Sequence, residues 1–352
     1  MRALPIVMAS AALHELIDHT PNGDLARERA SRSAPILLVG LPRSGTTWVG
    51  KIFDSHPSTL YLHEPDSAIP ITEMPLIAAQ LTAEIDPVEL RAVLARTMSL
   101  RFTRVAGSLP RFKKAYRAPA LDWIHRRLAF GAKVCSRFLG EFNLPDLVRK
   151  SPEYPVRVVW KSIESVGRIG LIARLLPQLR IIHILRHPCG WMASQTRGHH
   201  QFQFPADRHD WWRFDLLAAT DPAQRRGLSA VSFDAMSDLE RDVWSWILWN
   251  ENGAEPSELL PNVMTLLYEE ICAAPVEQSR RMFDFALLDW NTQTESFIRR
   301  SVSVHRNDYY SVFRDPSIAA NRWRGNVSAE DLHVAKSIMR QSKLGRMFLS
   351  SD

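Results

Sequence analysis

The chain has 352 residues, 45% hydrophobic and 23% charged, which excludes a disordered or fibrous protein and allows one large domain or two smaller ones. No run reaches the roughly 18–20 uninterrupted apolar residues of a membrane span. The nearest, Leu171 to Leu185, is broken by Arg174, Pro177, Gln178 and Arg180, so a soluble protein is expected. A net charge of +6, carried by 36 Arg and 8 Lys, favours anionic ligands without singling out nucleic acid. A genome that spells basic residues as Arg would give the same ratio.

Met1-Arg2 and the apolar run to Leu13 imitate a signal peptide, but the run is short, contains Pro5 and leads into an amphipathic helix ending near Asp18; it is read as structure. Pro35 to Val39 is wholly apolar and closed by Gly40, as in a strand buried on both faces. Residues 46–55 read as the helix after it, and Leu60-Tyr61-Leu62 as a second strand. A helical pattern runs from about Pro87 to Leu139. Val156 to Trp160 is a third strand, Val166 to Leu176 a helix stopped by Pro177, and Arg180 to Leu185 another strand. Residues 198–235 are polar and lack a steady period, the look of a mobile insertion. Asp238 to Asn252 reads as a Trp-rich helix, Val263 to Leu267 as a last strand, and Ser328 to Arg340 as a helix with Ser328 as its N-cap. Alternating strands and helices predict an α/β, three-layer sandwich around a mostly parallel central sheet. Cys135, Cys189 and Cys272 are far apart and follow no metal-ligand spacing; they read as buried free thiols in a reducing compartment, which points to the cytoplasm.

The strongest signal is Gly40-Leu41-Pro42-Arg43-Ser44-Gly45-Thr46-Thr47-Trp48, between a buried strand and a helix. It has the G-x-x-x-x-G spacing of a phosphate-binding loop, with Thr46 where that motif places Lys. Backbone N–H groups and the helix N-terminus form an anion site there. Without the Lys that reaches the β- and γ-phosphates of ATP, an anion lacking a γ-phosphate suits the loop better. Pro42 to Trp48 resembles the 5′-phosphosulfate loop of sulfotransferases that use 3′-phosphoadenosine-5′-phosphosulfate (PAPS). The Arg43 variant is similar to the carbohydrate, tyrosyl-protein and bacterial branches. A second segment, Arg180 to Ser194, delivers Arg186 to the end of a buried strand, where open α/β sheets bind ligands. It resembles the family's 3′-phosphate motif, an Arg followed eight positions later by Ser, here Arg186 and Ser194. The family's Asp or Asn before the Pro is His187, a poor N-cap. In the third group, Tyr268-Glu269-Glu270, Ile298 to Ser301 and Asn321-Arg322-Trp323-Arg324 resemble segments that lie near or fold over PAPS; core Tyr and Trp with surface Arg would read the same.

The resemblance implies a P-loop NTPase-like sulfotransferase fold over residues 1–352 as a single domain, with a helical acceptor-side insertion at about 66–150. It also implies PAPS as cofactor and PAP as product; with no H-E-x-x-H, Cys cluster or Asp-rich loop in the sequence, no metal is expected to be required. Arg43, Ser44, Gly45, Thr46, Thr47, Trp48, Arg186, Ser194, Tyr268, Ser301, Arg322, Trp323 and Arg324 would then bind the cofactor. In-line sulfuryl transfer to a hydroxyl or amine needs a base and a cation on the departing oxygen. The aryl branch's His is missing from Trp160-Lys161-Ser162-Ile163, whereas Tyr61-Leu62-His63-Glu64-Pro65 matches the Glu pattern of the carbohydrate and tyrosyl-protein branches. Glu64 is therefore the expected base, with His63 and Asp66 as rivals, Lys161 on the leaving oxygen and Arg43 on the phosphosulfate. The acceptor would be a saccharide, a lipid-linked glycan or a small metabolite. From Arg101 to Arg127, eight basic residues face one acid, Asp122, among Phe102, Phe112, Tyr116 and Trp123; this could be a surface for anionic membrane or saccharide, or a solvated helix face. No nucleic-acid motif accompanies the charge. A P-loop nucleotide kinase and a non-catalytic PAP-binding relative are the alternatives.

Overall fold

The computed structural model describes residues 32–78, 86–148, 156–200, 213–303 and 316–349. Five parallel strands form one sheet: β1 (Ile36–Val39), β2 (Thr59–His63), β3 (Arg157–Ser162), β4 (Arg180–Leu185) and β5 (Val263–Leu267). Their order is β2-β3-β1-β4-β5, so β1 is central and all four of its side chains are buried. Parallel strands covered on both faces need unbroken apolar runs, which is why each is visible in the sequence.

Alternate residues feed two cores. Leu37, Val39, Trp160, Ile181 and Leu185 pack on one face, and Ile36, Leu38, Val159, Ile182 and Ile184 on the other. The second face is covered by α1 (Thr46–Asp54), the first by α2 (Pro87–Met98) among others. After α2 come α3 (Pro119–Leu139), α4 (Ile169–Leu175), α5 (Pro188–His200) and α6 (Asp238–Ala254), whose Trp246 and Trp249 are fully buried in the first core. Next are α7 (Tyr268–Ala273), α8 (Pro275–Phe285), α9 (Thr292–Ser303) and α10 (Ala329–Met339). This is the expected three-layer sandwich. The chain leaves β1 towards the β2 edge and leaves β4 towards the β5 edge, which opens a crevice between the C-terminal ends of β1 and β4.

Several expectations need correction. The helical pattern of 87–139 is two long helices, interrupted where Gly107, Pro110 and Pro119 break it, with a single turn of helix at Thr103–Ala106. Part of the basic run in this region is interior rather than surface. Lys114 and Arg117 are buried, and Tyr116 is 1% exposed. Lys114 lies 3.1 Å from Asp54, Arg101 2.6 Å from Asp146 and Arg117 3.5 Å from Asp122. Buried charges persist only when paired, and Asp54 and Asp146 come from distant parts of the chain. Cys135 is exposed, whereas Cys189 and Cys272 are buried. Within 198–235, helices occupy Phe214–Ala218, Asp221–Gln224 and Ala230–Asp234, while 201–212 lie outside the described residues, as does the N-terminal helix expected up to Asp18.

Candidate active site

Gly40 follows β1 and the chain turns back on itself before α1. Two residues in this turn take left-handed backbone, Arg43 (φ 72°) and Gly45 (φ 87°). Glycine is required at 45 twice over, because an added Cβ would also lie 2.2 Å from the Tyr268 ring. The turn is closed by Ser44 N–H donating to the Leu41 carbonyl, and α1 begins at Thr46 with no side chain capping it and no acid in its first turn. Its N-terminal amides therefore point into the crevice with their partial positive charge uncompensated.

The β4 segment meets this loop directly. Arg43 Nε donates to Ser194 Oγ at 3.0 Å, and Arg186 Nη1 donates to the Arg43 carbonyl at 2.8 Å. Arg186 also donates to the Ala319 carbonyl and lies over the Tyr268 ring at 5.1 Å. Among the described residues, Nε of Arg186 is buried without a hydrogen-bond partner. Trp191 Nε1 donates to the Pro42 carbonyl at 2.8 Å, which ties α5 to the loop. His187 proves an adequate cap after all: its Nδ1 accepts the Cys189 amide at 3.1 Å, as a carboxylate oxygen would in that position. Its ring stacks on Trp323 with centroids 4.3 Å apart.

The remaining expected cofactor residues divide. Ser44 and Thr46 are buried within the loop, Thr47 is partly exposed, and the Tyr268 ring floors the loop at Gly45. Trp48 turns inward: its Nε1 donates to Ser301 Oγ at 3.1 Å and its ring meets Tyr268 edge-on. Ser301 is fully buried behind Trp48, so it shapes the loop from beneath. Trp323 is buried against His187 and Gly190, with the Arg324 guanidinium 4.9 Å from its ring; Arg322 and Arg324 are exposed. Glu269, next to Tyr268, also joins this site. Its Oε1 accepts the His187 amide at 3.0 Å, burial pushes its carboxyl upwards, and Arg186 opposes that shift. Only the fold brings it beside Arg186.

A second cluster stands at the ends of β2 and β3. His63 pairs with Lys161 across the parallel ladder, and Glu64 N–H donates to the Lys161 carbonyl at 2.8 Å. Glu64 itself is left-handed (φ 50°), which turns the chain out of β2. Asp66 anchors that turn: its buried carboxylate accepts hydrogen bonds from Trp160 Nε1, Ser162 Oγ and Ser165 Oγ. Burial raises the Asp66 carboxyl against those three donors. Fully engaged and 1% exposed, it cannot reach an acceptor. The Glu64 carboxylate is partly exposed and in direct ion-pair contact with Lys161 Nζ. Burial favours its neutral form, but the Lys161 ammonium, with His63 and the Lys161 hydrogen bond, holds it down to about 2. His63 is pushed to about 3 by burial, although Glu64 pulls the other way, so it is neutral at pH 7; its Nδ1 lies 3.0 Å from the Tyr61 hydroxyl.

A left-handed anion loop at the end of a central β1, braced by an arginine from β4, defines a phosphate-binding α/β protein. The model of the Sulfotransferase family matches residues 35–292, from β1 to the start of α9, and the chain belongs to that family, enzymes that take sulfate from PAPS. It is similar to carbohydrate sulfotransferase 4 of Mus musculus, at 22% identity over 86% of this chain and 79% of that one. It is likewise similar to carbohydrate sulfotransferase 1 of Danio rerio, at 22% identity over 88% and 76%. The solved structure of mouse sulfotransferase SULT7A1 complexed with PAP aligns at TM-score 0.38 and 15% identity, covering 91% of this chain and 89% of that one.

Proposed function

We propose that this chain transfers a sulfuryl group from PAPS to a hydroxyl of a saccharide or similarly hydroxylated acceptor, with Glu64 as general base. The observation that carries the reading is the Glu64–Lys161 pair, a partly exposed carboxylate and a cation at the ends of adjacent strands. Carbohydrate sulfotransferases among the relatives favour the saccharide.

The crevice suits PAPS by its chemistry. The uncapped N-terminus of α1 offers amides to the 5′-phosphosulfate, with Arg43 adding its charge. Arg186, whose buried Nε awaits an acceptor, and Ser194 would hold the 3′-phosphate. Trp48 and Ser301 would support the loop from behind, and Trp323 would position α5 through His187. When bound, PAPS supplies an activated sulfuryl group and leaves as PAP.

The chain's own residues supply the proton and charge management. Glu64 takes the acceptor's proton as the hydroxyl oxygen bonds to sulfur and the bond from sulfur to the bridging oxygen breaks. Lys161 balances the charge growing on that oxygen. A carboxylate held at about 2 is a weak base. As Lys161 is drawn from Glu64 towards the bridging oxygen, the force depressing the carboxyl weakens and its proton affinity rises during the step. The partly exposed side of Glu64 then returns the proton to solvent.

Isothermal titration with PAP, beside ATP with and without Mg²⁺, tests the cofactor. Micromolar PAP binding that ignores Mg²⁺ and is lost in Arg186→Ala is expected. Binding of Mg·ATP in place of PAP would overturn the reading in favour of a kinase. With PAP bound, labelled PAPS and an acceptor panel test transfer; no transfer to any hydroxylated acceptor would leave a non-catalytic binder.

A further inference from the structure

Helix α3 is built inside out. Its inner face carries Asp122, His125 and Ala129, all buried. At 3.6 residues per turn, Trp123, Ile124, Leu128, Phe130, Val134 and Phe138 share the outer half, and all are exposed, Trp123 by 56%, Phe130 by 55% and Phe138 by 84%. Isolated exposed hydrophobics need no explanation, but six on one face of one helix do. A helix stabilised only by its own fold would bury this face and expose the polar one.

The charges around the face restrict what can cover it. Asp122 is the single acid in α3, and it is buried between Arg117 and Arg126. Arg127 lies within the apolar face, its guanidinium 5.3 Å from the Trp123 ring. An open hollow of about 300 Å³ between this helix and the preceding loop is lined by Leu109, Arg111, Trp123, Arg126, Arg127 and Phe130. Guanidinium groups and aromatic rings together match a lipid phosphate above its acyl chains, with the long basic side chains reaching back to the headgroups. A second copy of this face would bring cations against cations.

The helix also lies beside the Glu64 cluster. The Thr103–Ala106 turn packs between β2 and α3, the Arg104 charge reaches Glu64, and the Lys133 charge reaches His63. We infer that α3 lies flat on an anionic bilayer surface and that the acceptor hydroxyl is presented to Glu64 by a membrane-borne molecule. The docking stands on the surface alone; the acceptor half rests on the sulfotransferase reading above.

The test is co-sedimentation of the full chain with phosphatidylcholine vesicles, with and without phosphatidylglycerol, beside PAP titration and sedimentation velocity. Two or three surface cations predict roughly tenfold or more tighter partitioning onto the anionic vesicles. The Trp123→Ser/Phe130→Ser variant should lose at least tenfold of that binding while PAP affinity is unchanged, and Leu259→Ser, an exposed apolar residue elsewhere, should lose none. Equal partitioning onto both vesicles, or binding that survives the double variant, overturns the docking. So does a wild-type dimer that the double variant converts to monomer without any vesicle binding, which would assign the face to a second copy. Vesicle binding without PAP binding would support the docking and refute the proposed function. With both present, a water-soluble acceptor turned over equally fast with and without vesicles would overturn the membrane-borne acceptor.

Discussion

Replacing Glu64 by Gln separates base catalysis from everything else the residue does. Gln has nearly the same shape and tolerates the φ of 50° no worse than Glu, and the turn is held by Asp66 rather than by residue 64. The substitution removes the charge beside the buried Lys161 but keeps an oxygen to accept from its ammonium, and should cost about 1–3 kcal/mol of stability. Glu64 pairs with Lys161 and His63 at the ends of β2 and β3, so PAP affinity should stay within about twofold. Turnover should fall by about 10²–10⁴, the usual loss on removing a general base, equivalent to roughly 2.7–5.5 kcal/mol of barrier. Transfer of labelled sulfate from PAPS at saturating acceptor reads the rate, and calorimetry with PAP reads the binding. Activity within a few-fold of the parent would remove Glu64 from the role. An equal loss of PAP affinity would show instead that the substitution disturbed the loop.

Three further outcomes follow from the same geometry. Gly45→Ala should abolish PAP binding, because left-handed backbone costs a non-glycine residue about 1–2 kcal/mol and the new Cβ strikes the Tyr268 ring; adding Tyr268→Ala should restore stability only in part, and full rescue of binding would refute the need for φ at 45. Asp66→Ala leaves Trp160, Ser162 and Ser165 without their acceptor and should cost about 2–4 kcal/mol by urea unfolding, whereas a loss under about 1 kcal/mol would mean the turn has other support. Stability should decline in two stages on acidification. His125, pushed to about 3, and His56 and His183, pushed to about 4, are kept neutral mainly by burial, so below pH 6.5 the unfolded chain takes up protons that the native one refuses. Each then removes up to about 1.4 kcal/mol per pH unit. Glu64 and Asp54, held near 2 by lysines against the cost of burial, contribute stability that is present above their ordinary values and lost as the pH falls towards 2. Urea midpoints that stay flat from pH 7 to 5 would contradict the histidine stage.

The sequence by itself determined the sheet and the two anion motifs. All five strands of this covered parallel sheet are compact, predominantly apolar runs, and a loop that must turn left-handed before a helix advertises itself through Gly45 and the residues around it. The Arg186–Ser194 spacing was legible because one strand and one helix carry both residues. Long-range pairing was not legible. The basic run from Arg101 to Arg117 looks like surface until Asp54 and Asp146 arrive from other elements to neutralise it. His187 looks like a poor cap until its ring is held between Trp323 and the α5 backbone. Glu269 beside Arg186, Ser301 behind Trp48 and Lys161 on Glu64 each join residues far apart in the chain. The outward apolar face of α3 is the clearest case. Periodicity showed a helical pattern, but which face meets the protein depends on where Asp122 and His125 find partners, and only the tertiary structure decides that.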